Sequence, residues 1–219
     1  MRYPNAAKGI KKIYLAEILS ILAAVLAIVL VIIAAANKVD VNMTGEEATQ
    51  ALQSANAGAP FVILGAFMIV LMIVSFFMNF IGISNASKDE EGFRRALWVL
   101  VASIVFSVVG GLLENTNPKI ASWLNVPAKL FELVVMIYVL EGIANLANNL
   151  GKRDIAGMSV QCKTWLMSAL VLSAAAEFFV ALGTTGSAFN TASGVAAALL
   201  QIVAYVVYLR VLNKARLMQ

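Results

Sequence analysis

The feature that most constrains this chain is a series of six apolar runs separated by short polar segments. A helix of about 20 apolar residues is long enough to cross the hydrocarbon core of a bilayer. Hydrophobic residues make up 61% of the chain and charged residues 13%, whereas soluble domains are near one half and one quarter. The sequence therefore predicts an all-α integral membrane protein, a bundle of six transmembrane helices in a single domain. The predicted spans are residues 13–36, 60–83, 96–113, 127–146, 158–182 and 193–212.

The distribution of lysine and arginine predicts which way the helices run. With six spans, 13 of the 16 basic residues fall on the side that holds both termini. The other side holds Lys38, Lys119 and Lys129. Basic residues accumulate on the cytoplasmic side of membrane proteins, so we expect both termini in the cytoplasm. Five or seven spans would destroy this alternation.

Two capping-box patterns mark helix starts in the polar segments. Thr44-Gly45-Glu46-Glu47 predicts a short outer-surface helix over residues 45–56. Ser87-Lys88-Asp89-Glu90 precedes the third span. This second pattern predicts that Asp89, Glu90 and Glu91 all lie at the positive N-terminal end of that span.

Short glycine motifs recur at the same ends of the predicted helices. Gly9, Gly92 and Gly157 precede the first, third and fifth spans. Gly82-Ile83 and Gly142-Ile143 close the second and fourth spans. One reading is an internal repeat of three helical hairpins, an arrangement common in transporters. The other is that membrane interfaces repeatedly select glycine, basic residues and asparagine, and both readings stay open.

The same segments carry a resemblance to other proteins. The stretch from Gly82 to Leu97, the opening from Lys8 to Leu19 and the segment from Gly142 to Gly157 resemble small uncharacterised multi-pass membrane proteins of gut Firmicutes. The resemblance implies a bacterial plasma membrane as the location. It implies nothing about activity.

Four ionisable residues lie a few positions inside the cytoplasmic ends of the predicted spans: Glu17, Glu141, Lys163 and Arg210. Ionisable groups within a span are costly unless they find a partner. We expect two intramembrane ion pairs, Glu141 with Lys163 and Glu17 with Arg210. The alternative is that each side chain extends to the interface by itself.

The outer part of the fourth and fifth spans holds a second group of charges. Glu132 and Glu177 lie at similar depth, and Lys129 is one turn from Glu132 on the same helix. Two neighbouring carboxylates in a low dielectric cannot both ionise cheaply, so they are a candidate ligand or ion site. Alternatively, Lys129 neutralises one carboxylate and the other reaches the outer water.

The residue inventory argues against enzymatic chemistry. The chain has no histidine and a single cysteine, Cys162, and it contains no hydrolase, zinc-protease or phosphate-loop motif. We expect no catalytic residue, cofactor, metal or nucleic-acid partner. Two function classes remain. The first is a non-enzymatic partner, regulatory or immunity-type membrane component, with a protein partner or a second copy in the bilayer. The second is a small transporter or ligand-binding bundle that uses the acidic residues of the fourth and fifth spans.

Overall fold

The computed structural model describes residues 3–36, 58–113, 116–181 and 188–218, and these residues form helices without any strand. Each helix contains a stretch long and apolar enough to cross a membrane. The predicted all-α membrane fold with six helices is therefore confirmed. The helices are α1 (Pro4–Ala36), α2 (Gly58–Ala86), α3 (Glu91–Leu113), α4 (Pro118–Asn149), α5 (Arg153–Ala181) and α6 (Ala188–Ala215).

Most helices extend beyond the predicted spans, because hydropathy detects only the apolar part of a helix. The largest difference is in α4, which we expected to begin at Pro127. It begins at Pro118, and Pro127 lies inside it. Both prolines suit a first helical turn, and the apolar run after Pro127 made that position look like the start. The expected helix over residues 45–56 lies outside the described residues.

The chain divides into two compact units. The smaller unit, Leu15–Asn79, contains most of α1 and α2. Within it, the Ser75 hydroxyl donates a hydrogen bond to the carbonyl of Ala16 (2.8 Å) and lies 2.6 Å from the hydroxyl of Ser20. Interhelical hydrogen bonds of this kind join helices where lipid offers no hydrophobic driving force.

The larger unit comprises Met1–Tyr14 and Phe80–Gln219. In it α3 packs against α4, α4 against α5, and α5 against α6. Gly151 makes the tight turn between α4 and α5 possible. Its φ is 72°, and its flanking amides close α4 by bonds from Gly151 N–H to the Asn148 carbonyl and from Lys152 N–H to the Ala147 carbonyl.

The tightest packing of the larger unit lies at what we call the basic end of the helices, residues 4–14, 80–97, 138–163 and 208–218. Two pairs of glycines bring backbones into contact there. A Cβ on Gly9 would lie 2.5 Å from the Gly82 carbonyl oxygen, and one on Gly92 would lie 2.6 Å from the Gly142 nitrogen. Large apolar side chains with almost no exposed surface surround these crossings: Ile10, Ile13, Ile83, Phe93, Leu140, Ile143, Leu146, Tyr208 and Leu212.

Candidate functional site

The basic end contains a chain of charged side chains that joins three helices. Lys163 Nζ on α5 donates to Glu141 Oε2 on α4 at 2.6 Å. Arg95 on α3 approaches the other oxygen of Glu141 at 3.4 Å and donates to Glu91 Oε1 at 2.9 Å. The structure thus brings together the residues of the predicted Glu141–Lys163 pair. It adds Arg95, whose second partner, Glu91, is exposed.

Glu90 continues this chain of contacts toward the start of α3. One of its carboxylate oxygens accepts a hydrogen bond from the Gly92 N–H (2.6 Å). The other accepts from the side-chain amide of Asn145 on α4 (2.8 Å). Glu90 therefore acts as the N-cap of α3. Its carboxylate accepts from a backbone N–H group that has no acceptor within the helix. The same carboxylate ties α3 to α4 beside the Gly92–Gly142 crossing.

Asp89 caps a different helix from the one we expected. Its Oδ2 accepts from the backbone N–H groups of Asn5 and Ala6, both at 2.8 Å, and its Oδ1 accepts from the Asn5 side chain at 2.9 Å. Asn5 and Ala6 belong to the first turn of α1, where backbone N–H groups have no intrahelical acceptor. Tyr3, which precedes the helix, has no short polar side chain that could cap it. Asp89 supplies that acceptor from 84 positions away.

The hydrogen bonds to Asp89 also set its ionisation. Partial burial favours the neutral carboxyl, but the bonds from the Asn5 side chain and from the Ala6 and Asn5 amides outweigh it. Nearby Lys88 adds to their effect. Together they lower the pKa of Asp89 below its ordinary value of 3.8. The carboxylate form is thus the form that α1 binds.

The capping-box interpretation of residues 87–90 is therefore partly wrong. Glu90 and Glu91 lie at the start of α3 as expected, but Asp89 binds α1. Ser87 does not begin α3, because its hydroxyl donates to the Ser84 carbonyl at the end of α2 (2.8 Å). The tetrapeptide forms the turn between the two helices. A local pattern cannot reveal an acceptor that serves a distant helix end.

The other candidate residues are only partly described. Glu132 is exposed on α4. Lys129 and Glu177 lie on helices, but their side chains are outside the described part, so the Glu132–Glu177–Lys129 site stays a prediction. Glu17 is buried, and Arg210 is exposed. These two residues belong to different compact units, and their pairing also stays a prediction.

The described residues contain no group of three or more histidine, cysteine or carboxylate side chains that could hold a metal ion. The lone thiol, Cys162, is 1% exposed and lies 3.5 Å from the Ala204 carbonyl oxygen. What the basic end can do chemically is bind helices to one another through charges. The sequence did not single out Arg95, although Arg95 lies four residues after Glu91, the spacing of a helical ion pair. It did single out Asp89, but for the start of α3 and not for the start of α1.

Comparison with known proteins adds no family to these observations. The chain matches no protein-family model, no curated protein and no solved structure.

Proposed function

We propose that this chain is a non-enzymatic component of a bacterial plasma membrane, a partner, regulatory or immunity-type subunit that works through helix packing. Its two termini lie in the cytoplasm. The bias of 13 basic residues toward one side supports the orientation. The resemblance of the Gly82–Leu97 segment to small multi-pass proteins of Firmicutes supports the location.

The observation that supports the proposal most directly is that three carboxylates at the basic end are bound by groups of the chain itself. Glu141 is held by Lys163 and Arg95, Glu90 by Gly92 and Asn145, and Asp89 by the first turn of α1. Each of these carboxylates is bound within the chain. Their common role is to hold helices together, which is the role expected of a scaffold.

Large apolar side chains on the outer parts of the helices supply surfaces for a neighbour in the bilayer. Val62 and Ile63 on α2 are 61% and 68% exposed, and Leu199 on α6 is 61% exposed. Lipid covers such faces in an isolated protein. A partner helix or a second copy would pack on them through van der Waals contact.

Site-specific photocrosslinking in living cells tests the proposal. A photoreactive residue is placed at Ile63 or Leu199, and the matched control is the exposed turn residue Lys152. We expect an adduct of one discrete mass from at least one apolar position and none from the control. The adduct should persist when the chain is expressed at low level, as a stoichiometric partner or a second copy requires.

A transporter would give a different pattern. Purified chain in proteoliposomes would drive uptake of an ion or small solute, and Glu132→Gln or Glu177→Gln would abolish it. Such Glu-dependent uptake, together with lipid as the only crosslinked species at every position, would contradict the proposal. Glu132→Gln is the better defined of the two variants, because the structure describes the Glu132 side chain, which is exposed.

A further inference from the structure

Arg94 and Arg95 are consecutive on α3, yet their side chains have different surroundings. Arg95 is bound by Glu91 and Glu141. Arg94 is exposed and has no hydrogen bond or ion pair with any residue that the structure describes. Within the described part of the chain, the Arg94 guanidinium thus has no hydrogen-bond acceptor for its N–H groups, although its charge attracts the Glu91 carboxylate.

Trp98 lies one turn beyond Arg94 on the same helix. Residues four apart share a helix face, and a four-residue step moves about 6 Å along the axis. The indole is 70% exposed, an unusual exposure for the largest side chain. Tryptophan concentrates at the depth of the lipid headgroups, where its ring contacts the apolar region and its N–H group contacts water.

The face that carries Arg94 and Trp98 continues along α3 as an apolar surface. Val105, Val108 and Leu112 on it are 55%, 55% and 73% exposed. The ten-residue step from Trp98 to Val108 extends about 15 Å along the helix axis, which is about half the thickness of the hydrocarbon core. Along α3 a cation is thus followed by an interfacial aromatic ring and then by an apolar stripe about one leaflet long. A phospholipid has its phosphate, its glycerol region and its acyl chains in the same order.

We infer that this face of α3 binds an anionic phospholipid. Its phosphate lies on the Arg94 guanidinium, its glycerol region lies beside Trp98, and its acyl chains lie along Val105 and Val108. A guanidinium binds phosphate through two parallel N–H···O bonds, and its positive charge selects an anionic lipid over a zwitterionic one. This site does not depend on the proposed protein partner, because it uses only side chains that are exposed on one helix.

Fluorescence quenching by brominated lipids measures binding at this position directly. The full chain carries three tryptophans, and Trp123→Phe with Trp165→Phe leaves Trp98 as the only reporter. The chain is reconstituted into vesicles of phosphatidylcholine and phosphatidylglycerol, with bromine on the chains of one lipid or the other. We expect phosphatidylglycerol to bind beside Trp98 about fivefold more strongly than phosphatidylcholine, the contribution of one basic residue at a membrane surface.

Three variants in this background separate the site from a general effect of positive charge. Arg94→Gln should abolish the preference, Arg94→Lys should keep most of it, and Lys152→Gln, a charge loss at an exposed residue of another segment, should leave it unchanged. Quenching by brominated phosphatidylcholine reports in each variant that Trp98 still lies in the bilayer. Equal quenching by the two lipids in the parent chain would overturn the inference. So would a preference that survives Arg94→Gln, or one that Lys152→Gln removes equally well.

Discussion

The Lys163 ammonium lies 2.6 Å from Oε2 of Glu141 and joins α5 to α4, with the two side chains 30% and 25% exposed. Removing one member of such a pair leaves the other partly buried and without its counter-charge. The loss is about 3–5 kcal/mol for fully buried pairs. With this much solvent access we expect Glu141→Leu to lower the free energy of unfolding by about 1–2 kcal/mol. The measurement is unfolding in mixed micelles of dodecylmaltoside and dodecyl sulfate.

The double variant Glu141→Leu with Lys163→Met tests whether the loss comes from the uncompensated charge. We expect the double variant to be more stable than Glu141→Leu, because both charges are then absent and the replacements are apolar. Glu91→Gln is the matched control, since Glu91 binds the same Arg95 but is 63% exposed. It should change stability less than Glu141→Leu does. A double variant no more stable than Glu141→Leu would show that Lys163 does not depend on Glu141.

The glycine crossing between α3 and α4 predicts a large effect for a single methyl group. An added Cβ at Gly92 would meet the Gly142 backbone nitrogen at 2.6 Å and its Cα at 2.8 Å. Backbone atoms cannot move aside as a flexible side chain can, so the helices must separate. We expect Gly92→Ala to destabilise the chain by about 1–3 kcal/mol, measured by the same unfolding assay.

Gly157→Ala is the control for that substitution. Gly157 is exposed on α5, and no heavy atom lies within 4 Å of a Cβ built on it. Alanine is the better helix former by about 0.5–1 kcal/mol, so this variant should be slightly more stable than the parent chain. Equal losses at Gly92 and Gly157 would mean that the assay reports helix propensity and not the crossing.

The helices, and the existence of the Glu141–Lys163 contact, could be foreseen because each rests on a local signal. Apolar length predicts a span, and a short turn between antiparallel helices brings Glu141 and Lys163 within reach. The ends of the helices could not be read in this way, since the polar first turns of α1 and α5 lack apolar periodicity. The Asp89–Asn5 contact could not be predicted from the sequence for another reason. It joins positions 84 residues apart, and one sequence contains no sign of which distant helix end a carboxylate will cap.

The role of Asp89 in capping α1 predicts a dependence on pH. Its pKa is lower in the folded chain than the ordinary 3.8, because the Asn5 and Ala6 donors favour the carboxylate over the opposing effect of burial. A group whose pKa falls on folding stabilises the fold at pH values above its unfolded pKa. This contribution is lost as the pH falls through the lowered, folded pKa. At pH 7 we expect Asp89→Ala to cost about 0.5–2 kcal/mol, the range for loss of an N-cap.

Unfolding of the parent chain and of Asp89→Asn, compared across pH 3 to 7, isolates the charge, since asparagine keeps one acceptor oxygen. The parent should be the more stable near pH 7, and the difference should shrink only when the pH falls below about 4. A difference that is constant with pH would show that the carboxylate charge contributes nothing to the cap. Asn5→Ala should reduce the difference, because it removes one of the donors that lower the pKa.

The orientation of the chain gives the last prediction, and labelling of single cysteines in intact cells tests it. Cys162 is 1% exposed, so Cys162→Ala gives a background without a reactive thiol and with little change in packing. We expect a membrane-impermeant maleimide to label Gln50→Cys in intact cells, because residue 50 lies in the first predicted outer segment. Lys152→Cys, at the exposed turn between α4 and α5, should be labelled only after the membrane is permeabilised. The reverse pattern would invert every helix and place the 13 basic residues outside the cell, in conflict with the rule from which the orientation was inferred.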